Sequence, residues 1–210
     1  IGFLPIIPLT MAVIVADRGI GLLNVVGVWS GLEVVVGIIL LDIVIYFQHR
    51  LFHKVDFLWR LHSMHHIDPM LDTTSGLRFH PFEIIISNFM KVGAIILLGI
   101  NPIAVIIFEV LLNGLAMFNH SNLHFPEGVE KVVSKILITP ALHTIHHSKI
   151  MDETNSNYGF SVPWWDMVFG SFRAKGKYPQ SEIRIGTVPM PDKKYQLFPG
   201  MLIQPFLKKE

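Results

Sequence analysis

No cysteine occurs among the 210 residues. Disulfides, iron–sulfur clusters and thiolate zinc sites are therefore excluded, and any metal must be held by nitrogen or oxygen. Charge is also scarce. Asp, Glu, Lys and Arg make up 16% of the chain and leave a formal net charge of +1, which is no electrostatic footprint for a nucleic acid. The His-Glu-x-x-His pattern of zinc hydrolases, with its built-in general base, is missing. No low-complexity tract is present, and the only internal echo is a repeated histidine motif.

What is abundant is apolar residues: 51% of the chain is hydrophobic and the mean hydropathy is +0.49. That balance belongs to a membrane protein. Apolar runs cover residues 1–16, 20–47, 83–99 and 102–118, separated by Asp17-Arg18-Gly19, by a polar stretch, and by the turn Gly99-Ile100-Asn101-Pro102. Because the first residue is Ile, residues 1–16 are not read as a signal peptide. The expected fold is all-α, a bundle of about four membrane helices carrying a helical, histidine-rich di-metal part. Residues 1–210 are read as one domain, with membrane helices in 1–47 and 83–118 and the polar catalytic part in 48–82 and 119–210. Of the seventeen Lys and Arg, all but Arg18 and Lys91 fall in 49–80 or 120–210. By the positive-inside rule that side is cytoplasmic. Lys91 and Glu109 lie at similar depth on the two arms of the 83–118 hairpin and are expected to pair, since an isolated charge there is costly. Residues 195–207 mix apolar and aromatic residues, and either lie in the membrane interface or pack on the protein.

Ten of the eleven histidines fall in four clusters. His62, His65 and His66 follow i, i+3, i+4, and so do His143, His146 and His147; His49/His53 and His120/His124 stand at i, i+4. On a helix these offsets span a sector of roughly 100°, so the rings of each cluster are expected to face one point. Imidazole is the commonest neutral metal ligand. Ten of them exceed the roughly four to six positions of one ion, so a two-metal centre is expected. His80 precedes Pro81 and is expected to cap a helix or orient a neighbour. Asp42, seven residues before His49, is a candidate to hold a ligand ring by its second nitrogen, and Tyr46 shares its face. Asn157 and Asp166 are candidates for metal or ligand contact, or for turn packing. An all-nitrogen site at a bilayer suits redox chemistry on a lipid better than hydrolysis. A non-enzymatic metal handler or transporter and a zinc-dependent membrane hydrolase are the competing classes.

The series His49-Arg-Leu-Phe-His53, His62-Ser-Met-His65-His66, His120-Ser-Asn-Leu-His124 and His143-Thr-Ile-His146-His147 resembles the fatty acid hydroxylase/sterol desaturase superfamily. The flanks Asp42-x-x-x-Tyr46, Trp59-Arg60, Asn157-Tyr158-Gly159 and Trp165-Asp166 agree. The resemblance covers about residues 40–173. It implies an integral-membrane non-haem di-iron oxygenase that uses O₂ and external electrons to hydroxylate or desaturate a fatty acyl, sterol or ether lipid. It implies two Fe ions held by the ten clustered histidines, with zinc a possible occupant in purified protein. It also implies a separate electron-donor protein, and residence in a bacterial inner membrane or the endoplasmic reticulum.

Overall fold

The computed structural model describes residues 6–27, 29–187, 192–195 and 197–207. Eleven α-helices form among these residues: α1 (Ile6–Asp17), α2 (Leu22–Val26), α3 (Ser30–Lys54), α4 (Asp56–His66), α5 (Pro81–Leu98), α6 (Pro102–Asn119), α7 (Glu127–Val133), α8 (Pro140–His146), α9 (Met151–Thr154), α10 (Trp164–Val168) and α11 (Phe198–Ile203). The described residues contain no strand, only an isolated bridge between Ser148 and Ile185. Four segments are long and apolar enough to cross a membrane: Ile6–Val26, Gly31–Lys54, Pro81–Leu98 and Pro102–Asn119. The chain is an integral membrane protein.

Local chemistry sets the helix ends. α5, α6 and α8 each start with proline at the first turn, where the missing N–H costs nothing. The residue before each proline caps the helix with its side chain: His80 accepts from Phe82 N, Asn101 from Ile103 N, and Thr139 from Leu142 N. Gly99 ends α5 in the left-handed conformation, φ 70°. It lies against Gly21, where an added Cβ would come within 2.2 Å of the Gly99 nitrogen, so the turn after α1 and the hairpin turn touch backbone to backbone.

α3, α5 and α6 pack around Leu41, Ile45, Ile95, Ile100, Ala104, Val105 and Phe108. The expected pair forms: Lys91 Nζ donates to Glu109 Oε1, and both side chains are buried. In the stretch 195–207, of which Gln196 lies outside the described residues, packing on the protein is seen at one side chain. Met201 buries against Met64 and Ile67, while Leu197, Phe198, Ile203 and Phe206 stay exposed.

Candidate metal centre

α3 runs unbroken from the apolar region through His49 and His53, so the first histidine pair stands on the end of a membrane helix. Val55 adopts extended geometry, φ −99° and ψ 116°, and turns the chain into α4, which carries His62, His65 and His66. His120 caps the C-terminus of α6, and α8 with its cap supplies His143, His146 and His147.

Nine of the ten clustered histidines come together, in two groups. His49, His53, His62, His66 and His146 form one; His65, His120, His143 and His147 form the other. Within each group the candidate ligand atoms lie within 4.8 Å of one another. The expectation that each His-x-x-His-His motif faces a single point is corrected. Adjacent residues on a helix are about 100° apart, so His65 turns away from His66 and His146 from His147. Each motif gives its i, i+4 pair to one group and its middle histidine to the other. The two groups are thereby interleaved, with the His66 and His147 rings stacked at 4.1 Å across the divide.

His124 does not join them. α6 ends at Asn119, so residues 120–124 are not helical and their i, i+4 spacing no longer brings the rings together. His124 is exposed, with Nδ1 3.0 Å from the Asn122 carbonyl.

Hydrogen bonds fix several rings with the lone pair turned inward. Nδ1 of His49 donates to the Tyr158 carbonyl, of His120 to Ala116, and of His146 to Ser156, each at 2.7 Å. Nδ1 of His62 donates to Glu83 Oε1 at 2.6 Å. A neutral ring that donates from Nδ1 keeps a lone pair at Nε2. The Nε2 atoms of His49 and His62 then face each other at 3.1 Å. In the second group His120 Nε2 lies 3.0 Å from those of His65 and His143 and 3.2 Å from that of His147. The facing lone pairs of His49 and His62 repel unless a cation lies between them. Metal–nitrogen bonds of about 2.0–2.1 Å at tetrahedral to right angles put donors about 2.8–3.4 Å apart, the spacing seen here. Nitrogens of His53, His66 and His146 are buried without any hydrogen-bond partner, which is costly unless a metal takes them. The donor set and its geometry fit metal ions.

Burial also keeps the rings neutral, the form that binds metal. It pushes His146 down to about 3, against the pull of the Ser156 carbonyl, and His120 to about 4. It lowers His65, His66, His143 and His147 as well, and neighbouring imidazoles add to the effect.

The other candidates act on the scaffold. Asp42 Oδ2 accepts from Trp165 Nε1 at 2.7 Å and holds no imidazole. Seven residues put it about 10 Å below His49 along the helix, too far for ring contact. The Tyr46 hydroxyl meets Ser171 Oγ at 2.7 Å and receives Arg50 Nη1 at 3.3 Å. His80 accepts from Phe82 N and donates from Nε2 to the Leu202 carbonyl at 3.2 Å, which ties α5 to the 197–207 segment. Asn157, at φ 50°, donates to the carbonyls of Leu142 and Arg173 and accepts from Arg173 N. Asp166 accepts from Tyr158 N, Gly159 N and Ser171 Oγ at 2.6–2.8 Å. Burial raises its pKa against the pull of these donors. Through Tyr158 the Asp166 carboxylate braces the carbonyl that His49 uses.

Glu83 and the carbonyls of Ala116, Ser156 and Tyr158 have no counterpart among the sequence candidates. For Glu83 a signal existed: an acid in the first turn of an otherwise apolar helix, three residues after His80. Carbonyls carry no sequence signal.

A sequence profile described as "Fatty acid hydroxylase" matches residues 34–171, the stretch that holds all nine converging histidines. The ornithine lipid hydroxylase OlsE of Rhizobium tropici is 30% identical over 178 residues, 84% of this chain and 51% of that protein. Human cholesterol 25-hydroxylase is 26% identical over 138 residues, 65% of this chain and 49% of its own. Sphinganine C4-monooxygenase 1 of Arabidopsis thaliana is 28% identical over 145 residues, 67% and 54% respectively. The chain thus spans about half the length of the curated relatives it matches. No solved structure matches it at a comparable level. From the histidine pattern, the membrane helices and these matches, the chain belongs to the fatty acid hydroxylase/sterol desaturase superfamily.

Proposed function

We propose that the chain is a membrane-bound non-haem di-iron oxygenase that hydroxylates, or desaturates, a lipid C–H bond with O₂ and electrons from a separate donor protein. The observation that carries this reading is the pair of interleaved imidazole groups, with lone pairs turned inward, beside a cavity between membrane helices. His49, His53, His62, His66 and His146 would hold one ion, and His65, His120, His143 and His147 the other. Iron held by these residues would supply the reduction of O₂ and the oxidation of an unactivated C–H bond. Zinc can occupy the same nitrogen donors in purified protein.

The chain's own residues prepare the site. Glu83 and the carbonyls of Ala116, Ser156 and Tyr158 fix which nitrogen of His62, His120, His146 and His49 is free. Burial of eight of the nine rings excludes bulk water. Hydroxylation places one oxygen atom in the C–H bond and releases the other as water, consuming two electrons and two protons. Desaturation consumes the same and releases two waters, with two hydrogens taken from the lipid. Relatives named as lipid and sterol hydroxylases support a lipid substrate. The Lys and Arg distribution supports a cytoplasmic histidine side, in a bacterial inner membrane or the endoplasmic reticulum.

Lipid extracts from cells expressing the wild type or His146→Ala under ¹⁸O₂ test the proposal. The wild type yields a lipid that has gained one labelled oxygen, or lost two hydrogens, and the variant does not. Identical lipid profiles would count against it.

A further inference from the structure

α10 lies along the last apolar turns of α3. Trp165 Nε1 donates to Asp42 Oδ2 at 2.7 Å. The Phe169 ring, at the end of α10, stacks on Tyr46 with ring centres 5.5 Å apart and tilts against Phe47 at 4.7 Å. Residues 42–47 belong to the membrane-length segment Gly31–Lys54, and Phe47 itself is exposed. α10 therefore stands at a depth where α3 still meets lipid.

The outer side of α10 is apolar. Trp164, Met167 and Val168 are 49%, 45% and 69% exposed, while the one charged residue of the helix, Asp166, is buried. The surface continues onto α7 and the turn after it. Trp164 Nε1 donates to the Lys135 carbonyl at 2.8 Å, and Ile138 N to the Ser161 carbonyl at 3.0 Å. α7 and this turn expose Val129, Val132 and Ile136 at three- and four-residue steps, beside Lys131, Lys135 and Glu127. Six large apolar side chains thus stand outside the four membrane-crossing segments. In water such a surface is costly. Through Phe169 and Phe47 it is continuous with the lipid-facing side of α3, and that continuity identifies its occupant.

We infer that α7 and α10 form a further membrane-contacting surface, seated in the bilayer interface with phospholipid chains against Val132, Ile136, Trp164, Met167 and Val168. Lys131 and Lys135 reach back to the headgroups, and Trp164 takes the place that aromatic residues favour at that level. This goes beyond the oxygenase reading and does not depend on it. It has a consequence for the histidines. Asp42, where α10 is tied, lies about 10 Å from His49 along α3, so the bilayer surface holds the first histidine group at about that height. α10 also carries Asp166, which receives Tyr158 N, and the Tyr158 carbonyl receives His49 Nδ1. The lipid thus meets the element that braces His49.

The absence of cysteine lets single positions be spin-labelled in the full chain. Val132→Cys, Ile136→Cys and Val168→Cys are each labelled with a nitroxide and reconstituted in phosphatidylcholine vesicles. Val110→Cys, exposed on the membrane helix α6, and Met151→Cys, exposed on α9, are the lipid and water references. Relaxation of the label is compared with O₂, which concentrates in lipid, and with chromium oxalate, which stays in water. The ratio of the two effects at 132, 136 and 168 is expected to lie several-fold above that of Met151→Cys, towards that of Val110→Cys. Ratios equal to that of Met151→Cys would overturn the inference. So would labels shielded from both reagents, with dipolar broadening between chains marking a second copy as the occupant and its absence marking a protein surface. The wild type gives an independent reading. A phosphatidylcholine with a diazirine near the start of one acyl chain is photolysed in the same vesicles, and adducts are expected within 129–136 and 164–168 as well as in the four spans. Adducts confined to the spans would overturn the inference.

Discussion

Glu83 offers the sharpest single perturbation of the proposed centre. Its Oε1 accepts from His62 Nδ1 at 2.6 Å, with both side chains buried, and its other oxygen has no partner. A buried hydrogen bond to a charged group is worth about 1.5–3 kcal/mol, and loss of such an outer partner typically weakens metal binding about 10–100-fold. Glu83→Ala removes the acceptor and frees the His62 ring to turn its lone pair away from His49. We expect a loss of metal affinity near the upper end of that range. Glu83→Gln keeps an oxygen to receive the Nδ1–H but not its charge. A neutral bond is roughly half as strong, so a loss of about tenfold is expected. Asp42→Asn is the control, because Asp42 contacts Trp165 and no imidazole. Chelator competition on the purified protein measures all three. Metal affinities equal to wild type in both Glu83 variants would refute the reasoning.

Three further outcomes follow from other parts of the structure. Lys91→Met strands a buried carboxylate and is expected to cost about 3–5 kcal/mol, while Lys91→Met with Glu109→Leu recovers most of it; thermal unfolding of the two variants in detergent decides this. An added Cβ at Gly76 would lie 2.6 Å from the Ala116 oxygen, the acceptor that fixes His120, so Gly76→Val should weaken metal binding, as read by chelator competition. The metal-free protein should lose stability as pH falls from about 6.5 towards 4. His120 and His146 are held down to about 4 and about 3 in the folded chain, so over that window the unfolded chain binds more protons and acid favours it. A Tm that stays flat across the window would contradict this.

Much of the fold was legible because membrane helices announce themselves by length and hydropathy, and the Gly99–Pro102 turn by its residue types. The Lys91–Glu109 pair followed from depth counting along two helices of equal length. Histidine convergence was legible as well, but its division was not. Spacing places the rings on one face, whereas the 100° step between His65 and His66, and again between His146 and His147, sends neighbours to different groups. His120–His124 misled because spacing has meaning only inside a helix, and α6 stops at Asn119. Asp42 misled in another way: a shared helical stripe does not imply contact across two turns. The ring partners were out of reach, because three of the four are backbone carbonyls brought in by chain segments distant in sequence or by the helix itself.

On the proposed reading, two imidazole groups hold two ions. Elemental analysis of protein loaded with ferrous iron under anaerobic conditions and freed of unbound metal tests it directly. About two iron atoms per wild-type chain are expected, and about one after His143→Ala with His147→Ala, which strips the second group and leaves the five-histidine group intact. A wild-type chain that retains no iron, or a double variant that retains as much as the wild type, would contradict it.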